Sequence, residues 1–126
     1  MRAIRLALIC VGAFAATAAA PTSLWTPSEA QVARLETLVR PKGPTRRISA
    51  PSSYDRAYAG TTISGRKIVE GRWVSRRWNG PAQIPNPKIV PFSALPDILD
   101  GGCDVVTVMY DVATDKIVLL QCNGVA

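Results

Sequence analysis

Histidine is absent from this chain of 126 residues, and cysteine occurs three times. Without histidine the chain lacks the usual general base near neutral pH, the Ser-His and Cys-His nucleophile pairs, and the commonest metal ligand. The sequence also has no Walker loop, no G-x-G-x-x-G, no G-x-S-x-G and no N-x-S/T acceptor. These absences predict a protein that is not an enzyme and that uses no metal or cofactor. A histidine-free hydrolase is the less favoured alternative.

The start of the chain has the order of an export signal. Arg2 and Arg5 supply positive charge, residues 4–16 form an apolar run, and small residues follow it. This order predicts a signal peptide over residues 1–18, with cleavage after Ala18 and export to the periplasm or the secreted space. The apolar run is shorter than the ~20 residues needed to span a bilayer, which disfavours an uncleaved anchor.

The cysteines then divide between the leader and the mature chain. Cleavage would remove Cys10 and leave Cys103 and Cys122. An even pair in an exported chain predicts one disulfide, which is worth ~3 kcal/mol for a loop of this size. A redox-active pair is disfavoured because the sequence contains no C-x-x-C.

Charge is distributed unevenly along the chain, whose net charge is +6 at pH 7. Residues 21–96 hold 12 basic and 4 acidic side chains, whereas residues 97–126 hold 1 basic and 5 acidic ones. This excess favours anionic surfaces but is too small to indicate a nucleic-acid binder. Pairing between the two parts within one chain explains the distribution, and self-association, head to tail, is the alternative.

A helix start is encoded in the segment 19–40. Thr26 can cap a helix, and Glu29 stands three residues later, as in a capping box. The pattern predicts an amphipathic helix from Pro27 to about Arg40, packed on its own domain or on a partner protein. Residues 41–60 follow; they are rich in Pro, Ser, Arg and Gly, which predicts a linker or long loop.

Residues 61–126 are predicted to form a small β-rich domain that contains the disulfide. A hairpin is expected around residues 64–66, and five prolines between 81 and 96 predict an extended surface segment. Residues 105–112 and 117–122 predict a second hairpin that is apolar on both faces and therefore central or sandwiched. Its expected core residues are Val106, Val108, Ile117 and Leu119.

These elements together predict a small α+β fold. It would consist of one N-terminal amphipathic helix and a small antiparallel β-sheet that ends in a disulfide-stapled hairpin.

One segment has the composition of a binding surface, with basic residues interleaved with aromatic ones. Arginine pairs with phosphate or carboxylate, and an indole offers a stacking face. The alternative is that one tryptophan lies in the core and the arginines line a solvated strand edge. The candidate residues are Arg72, Trp73, Arg76, Arg77 and Trp78.

The sequence therefore favours a small, exported, non-enzymatic module that binds a protein partner in the cell envelope or the secreted space. In an inhibitor-like version, the extended segment 81–96 presents a strand to a groove. The alternative is a binder of an anionic envelope polymer through residues 72–78, with no nucleic acid expected in vivo.

Overall fold

The structure is a computed structural model that describes residues 24–39, 47–79 and 87–124. The predicted signal peptide, residues 1–18, lies outside the described residues, as do parts of the predicted linker and of the proline-rich segment. Across the three described ranges, no helix is long and apolar enough to cross a membrane.

The described chain is a small α+β protein with one sheet. The strands are ordered β3-β1-β2-β4-β5, with β3 parallel to β1 and every other neighbouring pair antiparallel. Two helices of unequal length accompany this sheet. The elements are α1 (Glu29–Leu38), β1 (Tyr54–Ile63), β2 (Arg66–Ser75), the single turn α2 (Arg76–Asn79), β3 (Lys88–Ile89), β4 (Val105–Asp111) and β5 (Lys116–Cys122).

The helix begins two residues later than the sequence pattern indicates. Ser28, not Thr26, is the N-cap: its hydroxyl accepts the amide N–H of Gln31, and the Gln31 side chain accepts the Ser28 N–H at 2.9 Å. This reciprocal pair is the capping box, so Glu29 takes the first helical position instead of the third. The helix ends at Leu38, short of the predicted Arg40.

The first hairpin forms as predicted, but its first strand is longer than predicted. Ser64 and Gly65 make a two-residue turn in which both residues have positive φ, +51° and +74°. Strand β1 begins at Tyr54, so residues 54–60 of the predicted linker are strand. Gly60 is needed there for close approach, since a Cβ would lie 2.1 Å from the carbonyl oxygen of Trp25.

The core lies between α1 and one face of the sheet, and its centre is β2 and β4. Val106 and Val108 are completely buried, as predicted. Ile117 and Leu119 are only half-buried, so that part of the prediction is wrong. The reason is the strand order: β5 is the last strand of the sheet and is paired on one side only among the described strands.

The C-terminal hairpin contains a bulge. Asp111 pairs with Lys116, but Val118 has no partner in β4. Beyond the bulge Cys122 pairs with Val106. The predicted disulfide between Cys103 and Cys122 is present with a Cα–Cα distance of 4.5 Å. Cys103 lies in the 3₁₀ turn 102–104, just before β4.

Candidate functional site

The predicted aromatic surface is divided by the end of strand β2. Trp73, inside the strand, is 0% exposed, and its indole Nε1–H donates to the Tyr58 hydroxyl at 3.0 Å. Trp78 follows in α2 and is 49% exposed. The two indoles therefore form no common platform, and Trp73 is a core residue without a surface for a ligand.

The three arginines of the same segment each have a carboxylate partner. Arg77 Nη2 lies 2.6 Å from Asp104, and Arg76 Nε lies 3.5 Å from Asp55. Arg72 pairs with the buried Glu70 two residues earlier on β2, at 3.0 Å from its Nε. Because side chains alternate along a strand, Arg72 is on the opposite face from Trp73. Of the five candidates, Arg77 and Trp78 keep the most exposed side chains.

Ion pairs join the basic first part of the chain to the acidic last part. Arg77 bonds to Asp104 in this way, and Arg66 pairs with the buried Asp111. A third pair joins Arg34 of α1 to Asp115 at 2.7 Å. Complementarity within one chain therefore accounts for much of the uneven charge distribution, and self-association stays a prediction.

The turn between β4 and β5 is organised around Asp115, whose φ is +53°. Arg34 donates to its carboxylate from Nε and Nη2, and the Tyr110 hydroxyl donates to Oδ1 at 2.7 Å. These hydrogen bonds, first from Arg34 and then from Tyr110, lower the pKa of Asp115 to about 2. Through these hydrogen bonds Asp115 anchors helix α1 to the turn between β4 and β5.

A second polar group lies under the helix. The Tyr58 hydroxyl donates to Glu36 Oε1 at 2.7 Å while it accepts the Trp73 indole N–H, and Arg56 Nε also lies 2.7 Å from that carboxylate. Burial, and next the Glu36 carboxylate, raise the pKa of Tyr58. Because Tyr58 and Trp73 are both completely buried, this network fixes α1 on the sheet and offers no entry to a substrate.

A polar cleft opens at the end of the sheet where β1 begins and β2 ends. Its volume is about 500 Å³. Four of its lining residues, from Arg47 to Tyr54, come from the predicted linker. They were not predicted as site residues because the composition of that segment is typical of a loop. The lining is Arg47, Ser49, Ser53, Tyr54, Ser75, Arg77, Gly101, Cys103 and Asp104.

The edge formed by β5 is a second surface feature that the sequence did not reveal. Its sequence from Lys116 to Cys122 carries one charge and no proline, and the side chain of Val118 is 53% exposed. The apolar run Ile117–Leu120 is visible in the sequence, but nothing local shows that this strand, and not β4, lies at the edge.

No protein-family model matches this chain, and no curated protein and no solved structure is detectably similar to it. Within residues 24–39, 47–79 and 87–124, no group of three or more Cys, Asp or Glu side chains is placed to hold a metal ion.

Proposed function

We propose that this protein is a small exported, non-enzymatic module that binds a partner protein by accepting an extended segment beside β5. The observation that supports this most is the seven-residue β5, beyond which no further described strand lies. An edge strand presents a row of backbone donors and acceptors, so a partner segment gains main-chain hydrogen bonds by lengthening the sheet.

The opposite edge of the sheet is protected in the ways that natural edges are. Strand β3 has two residues, Lys88 and Ile89, and stands between Pro87 and Pro91. Short length, proline and charge all discourage further pairing. Strand β5 has a single charge at its first residue and presents Val118 to solvent. The contrast favours β5 as the edge that meets another chain.

The inhibitor-like version of the hypothesis, in which the extended segment 81–96 enters a partner's groove, needs a change. From residue 87 onward the proline-rich segment pairs with β1 through β3 and then forms the turn Phe92–Ala94. This part of the segment is engaged with its own sheet, so we place the partner at β5 instead. The disulfide Cys103–Cys122 is compatible with an oxidising compartment outside the cytosol, as the predicted signal peptide requires.

The test is amide hydrogen exchange on the full-length mature protein with its purified partner. The partner is first captured from the native envelope fraction and identified by mass spectrometry. We expect slower exchange at residues 117–121 in the complex, because the added strand occupies the outer amides of β5. Protection confined to another surface would overturn the proposal.

Paired variants make the same experiment specific. Val118→Lys places a charge on the edge and should abolish capture, since an edge lysine blocks strand addition. Leu99→Lys is the matched control, because Leu99 is 89% exposed and lies outside β5. Equal capture by both variants, or a homodimer paired through β5 in sedimentation experiments, would contradict a separate protein partner.

A further inference from the structure

The polar cleft has the size of a small-ligand site. Its volume of about 500 Å³ lies within the range of about 300–1,000 Å³ typical of such sites. The Tyr54 hydroxyl accepts the Ser49 N–H at 3.0 Å and lies 3.2 Å from the Cys103 carbonyl oxygen, to which it donates. Both bonds fix the floor of the cleft. The hydroxyls of Ser49 and Ser53 are exposed and make no hydrogen bond to another described residue.

The cleft carries one positive charge in excess. Arg77 and Asp104 form an ion pair, which leaves Arg47 without a carboxylate partner in the described part of the chain. Arg47 is exposed to solvent, and Arg77, whose side chain is 79% exposed, belongs to the same cleft lining. The two guanidiniums can donate to one anionic group, since each presents several N–H donors in a planar fork.

An aromatic ring packs against one residue of the cleft lining. The Trp78 ring lies against Gly101, where a Cβ would come within 2.6 Å of the indole Cη2. Gly101 also has φ +102°, so its conformation and its lack of a side chain both serve this approach. Gly101 itself lines the cleft, so the half-exposed indole lies against one residue of the cleft lining.

We propose that this cleft binds an anionic saccharide, that is, a sugar ring that carries a carboxylate. Arg47 and Arg77 would bind the carboxylate, the hydroxyls of Ser49 and Ser53 would bond to ring hydroxyls, and the Trp78 indole would cover the apolar face of the ring. This combination is specific because a bare anion would not use the indole and a neutral sugar would not use the guanidiniums.

The indole N–H signals in a ¹⁵N-correlated NMR spectrum give a direct readout. Trp25 donates to the Thr61 carbonyl and Trp73 donates to Tyr58, so both of these signals report on internal bonds. Titration with tetragalacturonate should move the Trp78 signal and leave the Trp73 signal in place. Maltotetraose, which is uncharged, and sodium phosphate, which has no ring, should each bind at least about tenfold more weakly, because each lacks one set of contacts.

Substitutions then test the guanidinium at the centre of the proposal. Arg47→Ala should raise the dissociation constant for tetragalacturonate about tenfold, as expected for the loss of a charge-assisted hydrogen bond. Arg34→Ala is the matched control, because Arg34 is an exposed arginine that bonds to the β4–β5 turn at the other end of the sheet. Val118→Lys should bind tetragalacturonate normally, which separates this site from the β5 edge.

Four outcomes would overturn the proposal. The first is an unmoved Trp78 signal at millimolar tetragalacturonate, and the second is equal affinity for maltotetraose. The third is equal affinity of the Arg47→Ala variant and the parent protein. Phosphate binding as tight as that of tetragalacturonate would also overturn it, since it would assign the site to a simple oxyanion.

Discussion

The centre of the sheet and its β5 edge have similar sequences and different environments. Strand β4 reads Val-Val-Thr-Val-Met-Tyr-Asp and β5 reads Lys-Ile-Val-Leu-Leu-Gln-Cys. Val106 and Val108 of β4 are completely buried, whereas Leu119 of β5 is half-buried. The difference comes from position: β4 lies between β2 and β5, while β5 has one described strand neighbour. An apolar run therefore predicts a strand without predicting its place in the sheet.

The largest effect is expected at the centre. Trp73→Ala should lower the free energy of unfolding by ~3–5 kcal/mol, because it leaves a large cavity and removes the bond to Tyr58. Urea unfolding followed by circular dichroism measures this loss. Trp78→Ala is the control and should cost less than half as much, since that indole is half-exposed. Equal losses would show that the two indoles are not divided between core and surface.

The next largest loss of stability is expected on removal of the disulfide that links β5 to the turn before β4. Replacing both Cys103 and Cys122 by Ser should lower stability by ~2–4 kcal/mol, because the disulfide restricts the unfolded chain. Non-reducing peptide mapping of the parent should first show the link. The idea fails if the native protein has two thiols that react with an alkylating agent, or if the double variant unfolds at the parent's urea midpoint.

A direct comparison of centre and edge uses two truncations. Val108→Ala should cost ~2 kcal/mol, because its methyl groups are fully enclosed. Leu119→Ala removes more atoms but should cost only ~1 kcal/mol, since that side chain is only partly buried at the edge of the sheet. Urea unfolding of the two variants provides the test. A greater loss for Leu119→Ala would mean that β5 is covered by something further.

The smallest effect is the dependence of the turn on pH. The pKa of Asp115 is about 2 in the folded protein and 3.8 in an unperturbed chain. Because the folded value is the lower one, the stabilisation from Asp115 is complete above about pH 4 and is lost as pH falls towards 2.

Asp115→Asn should remove this contribution and flatten the acid limb of a plot of stability against pH between 2 and 4. Asparagine tolerates the positive φ at this position, so the turn itself should persist. The measurement is the urea midpoint at several pH values for the parent and the variant. An unchanged slope below pH 4 would assign the acid sensitivity to other carboxylates.

Local signals in the sequence predicted the elements that are local. The Ser64-Gly65 turn, the second hairpin and the pairing of Cys103 with Cys122 each depend on nearby residues or on a count of cysteines. The start of β1 was missed because Gly60 resembles a turn residue, while its role is to admit Trp25. Such a contact between distant segments leaves no mark in the adjacent sequence.

The candidate site was predictable only in part, for the same reason. Arg77 and Trp78 belong to the segment that the sequence singled out; Arg77 lines the cleft, and Trp78 contacts Gly101 of its lining. Trp73 was included among the candidate binding residues because the pattern of arginine and tryptophan does not show where strand β2 ends. A tryptophan inside the strand and one beyond it therefore look the same in the sequence. Arg47 was missed because its partners in the cleft come from β1, from α2 and from the turn before β4.

The strand order also constrains when this chain can fold. The buried face of β2 is completed by β4, and Asn123 is bound at the start of β4, where its N–H donates to the Val105 carbonyl at 2.9 Å. A chain that emerges with its N-terminus first, from a ribosome or a secretion channel, presents the β1–β2 hairpin long before β4 exists. Its hydrophobic face then lacks a cover, and non-local pairing of this kind is slow. The polypeptide should therefore stay open until β4 and β5 have emerged.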